Sequence, residues 1–277
     1  MNTLDLLLPL EPGTQRSLFL IAGPCVIEDE GREKDFTLSI ADRLRKILDP
    51  LGLPWIFKAS FDKANRTSLE SFRGPGLDKG LAILEAIKQE TNVLLLSDVH
   101  EAWQVNAAAE VLDVVQIPAF LCRQTDLLVA AATHARALNI KKGQFLAPSA
   151  MENVLNKVRG TGGTERVTLT ERGTMFGYGN LVVDMTSIPV LRGLGAPVVF
   201  DATHSAQLPG GLGTASGGRR AMVPTLAAAA VAAGCDGLFL EVHPDPDSAL
   251  SDGPNMVPLD ELENLLHRIL AIREAIR

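Results

Sequence analysis

Short apolar or β-branched runs alternate along this chain with longer segments whose apolar residues recur at helical intervals. Residues 18–22 read as a strand stopped by Gly23-Pro24, and residues 34–48 as a helix closed by Pro50. A second strand is expected over 55–57, and a second helix over 77–89 after Gly74-Pro75-Gly76. Strands at 93–96 and 114–117 follow, each leading to a helical pattern, over 101–111 and 126–138. A weak fifth strand is expected at 144–147 with a short helix over 151–158. Strands at 166–170, 197–200 and 237–242 complete the set, with helices over 184–192, 221–233 and 259–276. Two long loops stand out, a glycine-rich one over 208–218 and another over 243–258.

Eight strands, each followed by a helix and several apolar on both faces, predict a parallel sheet covered by helices. That number favours a closed (β/α)8 barrel over an open doubly wound sheet, and 277 residues suit one such barrel. No helix opens with G-x-G-x-x-G after a strand, which weakens the dinucleotide-binding alternative. Residues 18–277 are therefore expected to form a single catalytic barrel domain. Residues 1–17, with Pro9, Pro12 and Gly13, are expected to be an irregular N-terminal extension.

Composition narrows the function. Hydrophobic residues at 46% supply a core, while 5% aromatics and a net charge of −7 disfavour a nucleic-acid partner. No apolar run approaches the length of a membrane span, and the N-terminus has no basic region before its short apolar patch, so a cytoplasmic protein without a membrane partner is expected. Cys25, Cys122 and Cys235 are odd in number and widely spaced, which does not describe a disulfide framework.

In a (β/α)8 barrel the loops after the strands build the active site. The polar residues of this chain fall there repeatedly: Cys25, Lys58, Asp98 and His100, Gln116 and Arg123 with the aromatic Phe120 between them, Arg172, Asp201 and His204, Glu241 and His243. The basic stretch Phe57-Lys58-Ala59-Ser60-Phe61-Asp62-Lys63-Ala64-Asn65-Arg66-Thr67-Ser68 reads as an anion bed. Any one cation has a surface ion pair as its equal alternative. Together, Lys58, Lys63, Arg66, Arg123, Lys141 and Arg172 bring more positive charge to one mouth than a single phosphate needs, which implies two anionic groups or two anionic substrates. Barrel closure also sets strands seven, eight and one side by side, so Cys25, His204 and Glu241 become neighbours with Asp252 in reach. Thiolate, imidazole and two carboxylates suit a divalent metal such as Zn²⁺, Fe²⁺ or Mn²⁺ better than Mg²⁺. Cys122 and Cys235 are expected to be small buried hydrophobes, and His134 a structural or exposed residue on a helix face.

The motifs now resemble a known family. Gly23-Pro24-Cys25, Lys58 to Ser68, Arg73-Gly74-Pro75-Gly76, Ser97-Asp98-Val99-His100-Glu101 and Gln116 to Thr125 are similar to 3-deoxy-D-manno-octulosonate-8-phosphate synthases. So are Lys141-Lys142-Gly143-Gln144-Phe145-Leu146, Glu171-Arg172-Gly173, Asp201-Ala202-Thr203-His204, Ser216-Gly217-Gly218-Arg219-Arg220 and Glu241-Val242-His243-Pro244-Asp245-Pro246. The resemblance implies condensation of phosphoenolpyruvate with D-arabinose 5-phosphate, releasing phosphate, in lipopolysaccharide sugar biosynthesis on a (β/α)8 barrel assembled as a homotetramer. It implies a phosphoenolpyruvate pocket of Lys58, Lys63, Lys141 and Arg172, and a pentose-phosphate site of Asn65, Arg66 and Thr67. Gln116 and Phe120 are further substrate-binding candidates, and Arg123 is expected to reach the pentose phosphate from an adjacent subunit. Cys25 after Gly-Pro implies the metal-dependent branch, with His204, Glu241 and Asp252 matching the other ligands. Lys58, Asp98 and His204 are the catalytic candidates, the last two as proton-transfer or orienting groups.

Two alternatives are carried with this reading. A related 3-deoxy-D-arabino-heptulosonate-7-phosphate synthase uses erythrose 4-phosphate and typically has proline where this chain has Asn65. A non-catalytic sugar-phosphate-binding barrel needs the cations but not the metal set.

Overall fold

A computed structural model of the chain describes all residues except 1, 12, 13, 29, 67, 177–179 and 210–216. Thr67, Ser216 and most of the expected 208–218 loop therefore lie outside the described residues, as do Pro12 and Gly13 of the N-terminal stretch.

Eight parallel strands close on themselves: β1 (Phe19–Gly23), β2 (Trp55–Lys58), β3 (Leu95–Asp98), β4 (Val114–Ile117), β5 (Leu138–Lys141), β6 (Val167–Glu171), β7 (Val198–Asp201) and β8 (Gly237–His243). Each pairs with the next, and β8 returns to β1 in the register Phe19↔Gly237 through Gly23↔Glu241. The helices are α1 (Glu33–Leu48), α2 (Leu77–Thr91), α3 (Val105–Val111), α4 (Thr125–His134), α5 (Met151–Arg159), α6 (Ser187–Arg192), α7 (Val223–Ala232) and α8 (Leu259–Ala275). This is the (β/α)8 barrel that the pattern of strands and helices predicts. Among the described residues no helix is long and apolar enough to cross a membrane.

The two-residue period of the strands sorts their side chains into two populations. Outward positions such as Leu20, Phe57, Leu95, Val115, Leu138, Ile140, Leu169, Phe200 and Leu240 pack against helix stripes such as Ile40, Leu44 and Leu48 of α1. Inward positions at the N-terminal end form a separate apolar cluster of Phe19, Ile21, Ile56, Leu96, Val114, Val199 and Phe239. One further step of two along each strand reaches Gly23, Lys58, Asp98, Gln116, Lys141 and Asp201, so the inward face turns polar at its C-terminal end. On β4 to β6 the polar character begins one layer deeper. Asn139 donates to Gln116 Oε1 (2.9 Å) and accepts from Thr168 Oγ1 (2.9 Å) and Thr170 Oγ1 (2.5 Å).

The N-terminal stretch is not irregular throughout. Thr3–Leu7 is a 3₁₀-helix capped by Asn2, and Leu4, Leu6 and Leu7 join the inner apolar cluster, closing the barrel floor. Arg16 donates to the carbonyls of Asp5, Leu6, Leu8 and Pro9, which satisfies groups the short helix leaves unpaired.

The fifth strand differs from expectation. It runs Leu138–Lys141, and the preceding helix ends at His134, so residues 144–147 are loop. The physical reason is the polar inward face of β5: only Leu138 and Ile140 are apolar, and Leu138 follows Ala131 and Ala135 at helical spacing, so the helical pattern runs on through residue 138. Two helix starts also shift. Residues 102–104 form a 3₁₀ turn ahead of α3, and α6 begins at Ser187, where Asp184 turns the chain by accepting from Thr186.

Candidate active site

A cavity of about 440 Å³ opens at the C-terminal end of the barrel. Its walls include Lys58, Lys63, Asn65, Arg66, Asp98, Gln116, Phe120, Lys141, Arg172, His204, Glu241 and Asp252. Cys25 lies beneath, fully buried. Arg123 does not line the cavity of its own chain; it is exposed just ahead of α4, where Lys157 Nζ donates to its carbonyl. His134 is exposed, and Cys122 and Cys235 are buried, as their sequence contexts imply.

Closure of β8 on β1 brings the distant donors together. Cys25 Sγ, a Glu241 oxygen and an Asp252 oxygen all lie within 4.8 Å of one another, a group that can hold a metal ion. His204 Nε2 faces the same point, 3.6 Å from Glu241 Oε1 and 4.0 Å from Asp252 Oδ2. Its other ring nitrogen, Nδ1, is 2.8 Å from Asp201 Oδ2, and Asp201 Oδ1 accepts from the His204 backbone N–H (2.9 Å). A carboxylate behind an imidazole in this way orients the ring toward a ligand. Burial and the Glu241 carboxylate push the Cys25 thiol up. Burial alone would do the same to Glu241 and Asp252, but His204 and the lysines nearby hold both carboxyls below the usual range.

The cations form a ring around these donors. Lys58, 1% exposed, donates to Glu241 Oε1 (2.6 Å) and to the Cys25 carbonyl (2.6 Å), so it fixes the relative position of β1, β2 and β8. Lys141 pairs with Asp201 Oδ2 at 2.7 Å and sits 3.9 Å above the centre of the Phe239 ring. Burial lowers the pKa of Lys141 and of Arg172. Lys63, by contrast, is held above the ordinary lysine range: burial opposes its charge, but Cys25, Asp98, Glu241 and Asp252 outweigh that. Arg172 Nη2 donates to Gln207 Oε1 (3.1 Å), while its buried Nη1 has no hydrogen-bond partner among the described residues. A buried guanidinium nitrogen without a partner is a donor that an anion in the cavity would satisfy.

Asp98 accepts from Ser60 Oγ and lies 3.1 Å from His100 Nε2. Burial disfavours its charge, yet Lys63 and the His100 hydrogen bond hold its carboxyl well below the usual range. At the rim, Arg66 donates to the Phe72 carbonyl (2.9 Å) and to Ser251 Oγ (2.6 Å), and Asn65 is exposed to the cavity.

The sequence profile of the DAHP synthetase I family matches residues 9–276. The chain belongs to the DAHP synthetase I family. Curated relatives carry the name 2-dehydro-3-deoxyphosphooctonate aldolase. The protein of that name from Trichlorobacter lovleyi is 59% identical over 265 residues, 96% of each chain. Those from Geotalea daltonii and Desulfatibacillum aliphaticivorans are 61% and 56% identical, over 94% and 99% of this chain and 94% and 98% of their own.

Within this member of the DAHP synthetase I family, three site residues escaped sequence reasoning. Ser60 reaches Asp98, Ser251 touches both Cys25 Sγ (3.0 Å) and Arg66, and Gln207 joins Arg172 to Asp252. Ser60 had a signal, since it continues the two-residue step from Ile56 and Lys58. Ser251 sits in a loop and Gln207 on a two-residue strand, both too short for any periodicity, and they become visible only by their partners.

Proposed function

We infer that this chain is a 2-dehydro-3-deoxyphosphooctonate aldolase: it condenses phosphoenolpyruvate with D-arabinose 5-phosphate and water to 3-deoxy-D-manno-octulosonate 8-phosphate and inorganic phosphate. The relatives' shared name supports this over the erythrose 4-phosphate alternative. The observation that carries the reading is one cavity in which several cations lie beside a cluster of thiol, imidazole and carboxylates. A non-catalytic sugar-phosphate sensor has no use for that cluster.

The reaction joins carbon 3 of phosphoenolpyruvate to the aldehyde carbon, adds water oxygen at carbon 2, and breaks the bond from carbon 2 to the phosphate oxygen. The inner cations, Lys58, Lys63, Lys141 and Arg172, bind the three-carbon anion, with Arg172 Nη1 free to donate. The rim residues Asn65 and Arg66, with Thr67 between Arg66 and Ser68 in sequence, take the pentose phosphate, and Gln116 and Phe120 line the space between. Fixing both anions removes much of the entropic barrier to their meeting, and the same cations stabilise charge as phosphate leaves. Asp98, its carboxyl held well below the usual range, stays ionised and orients His100 by accepting from Nε2–H. Asp201 holds His204 with Nε2 facing the reacting centre.

The donor chemistry of Cys25, His204, Glu241 and Asp252 fits Zn²⁺, Fe²⁺ or Mn²⁺. A bound ion supplies Lewis acidity toward an aldehyde or water oxygen. The exposed Arg123, outside its own cavity, supports a homotetramer in which it completes a neighbour's pentose-phosphate site.

The test is phosphate release from phosphoenolpyruvate with each aldose phosphate, before and after chelation. Release with arabinose 5-phosphate that chelation abolishes and added metal restores is expected. Release with erythrose 4-phosphate only, release indifferent to chelator, or no release at all would each overturn the corresponding part.

A further inference from the structure

Gln207 lies just after the short helix Ala202–Ser205 that follows β7, and its side-chain amide spans two groups of opposite charge. Its Oε1 accepts from Arg172 Nη2 at 3.1 Å, and its Nε2 donates to Asp252 Oδ1 at 2.9 Å. Only a group with an acceptor at one end and a donor at the other satisfies a guanidinium and a carboxylate together. A carboxylate in its place would repel Asp252, and an ammonium would repel Arg172.

The anchoring of this amide is stiff. Gln207 and Leu208 pair antiparallel with Gly218 and Gly217, and the Arg219 N–H donates to the Ala206 carbonyl (3.0 Å). The opposite strand of that short hairpin is pinned to the loop after β8. A Cβ on Gly218 would come within 2.0 Å of Asn255 Oδ1, and Arg220 Nη2 donates to the Gly253 carbonyl (2.8 Å). Asp252 itself has a left-handed backbone (φ 53°), a conformation that a non-glycine residue keeps only when its surroundings hold it. Its side chain is held from two directions, by Gln207 on Oδ1 and by Cys25 Sγ on Oδ2 (3.2 Å).

We propose that Gln207 is a positioning residue that ties the anion-binding arginine to the carboxylate donor of the metal set, so that metal retention and phosphoenolpyruvate binding reinforce each other. The inference rests on the functional reading above. Arg172 has one nitrogen committed to Gln207 and one buried nitrogen without a partner among the described residues. An anion on Nη1 fixes the guanidinium plane, which fixes the amide and with it Asp252. By linkage, a metal on Asp252 must favour the anion by the same factor.

The experiment measures Mn²⁺ affinity of the full chain by electron paramagnetic resonance of free Mn²⁺, with and without saturating phosphoenolpyruvate. In the wild type, phosphoenolpyruvate is expected to tighten Mn²⁺ by about fivefold or more. Gln207→Leu, which keeps the bulk and removes both hydrogen bonds, is expected to bind Mn²⁺ more weakly and to bring that factor close to one. Gln207→Asn, too short to span both partners, is the second variant and carries the test if the leucine variant does not fold. A merely structural role would weaken Mn²⁺ binding and leave the factor intact. Coupling that survives in a folded variant, or a wild type that binds both species without coupling, overturns the inference alone. A wild type that binds neither Mn²⁺ nor phosphoenolpyruvate overturns the functional reading as well.

Discussion

Gly23 is the position where a single methyl group should do the most damage at the barrel mouth. A Cβ built there lies 1.9 Å from the Lys58 carbonyl oxygen and 2.9 Å from its carbon, whereas ordinary contact begins near 3.4 Å. Both atoms belong to backbone, so no side-chain rotation relieves the overlap. β1 and β2 must move apart by roughly 1.5 Å to restore normal separation, within a ladder paired at Leu20↔Trp55, Ile21↔Ile56 and Ala22↔Phe57. Overpacking of this kind costs about 1–3 kcal/mol, and loss of one or two ladder hydrogen bonds brings the total to about 3–5 kcal/mol. For a chain of this size that corresponds to a fall in Tm of roughly 5–9 °C. The displaced Lys58 also carries the contacts to Glu241 and Cys25, so misplacement by about 1 Å should lower turnover by about 100-fold. Gly23→Ala would be measured by calorimetry and by phosphate release. A Tm within about 2 °C of wild type, with turnover within about threefold, would refute the close-approach argument.

Lys58→Met should cost about 3 kcal/mol, because it removes a cation from a fully buried pair and leaves Glu241 less compensated, and kcat should fall by about 100-fold or more; denaturation and single-turnover assays check both. Asp98→Asn should destabilise by about 1–3 kcal/mol at neutral pH. Since the folded-state pKa of Asp98 lies below its unfolded value, the stability it contributes is present above that value and is lost as pH falls. The Tm gap between wild type and Asp98→Asn should therefore be flat from about pH 8 to 5 and narrow below about pH 4. A gap that widens in acid would contradict this. Asn65→Pro should raise KM for arabinose 5-phosphate by about tenfold or more while leaving the phosphoenolpyruvate KM near wild type. Unchanged kinetics with the five-carbon sugar would remove Asn65 from the specificity argument.

The barrel was legible because its strands and helices have different periods. A two-residue step places Lys58 after Ile56, Asp98 after Leu96, Gln116 after Val114 and Asp201 after Val199, so the inward polar end of each strand follows from local chemistry. Where that contrast fails, the reading fails. β5 carries Asn139 and Lys141 on its inward face, and Leu138, one of its two apolar residues, also continues the helical spacing of Ala131 and Ala135. The N-terminal Leu4, Leu6 and Leu7 read as an irregular apolar patch because what makes them a plug is the open floor of a barrel that the local sequence does not contain.

The site divides in the same way. Local sequence determined which residue types stand at the strand ends, hence a cavity rich in cations with a thiol, an imidazole and carboxylates in reach. Tertiary structure decided which of them touch. Cys25 meets Ser251 and Asp252 across more than 220 residues, Lys58 spans β1 and β8, and Gln207 bridges Arg172 and Asp252 from a strand of two residues, too short for periodicity. Period and propensity act over a few residues, whereas these contacts exist only after β8 has closed on β1 and the following loop has folded back over the mouth.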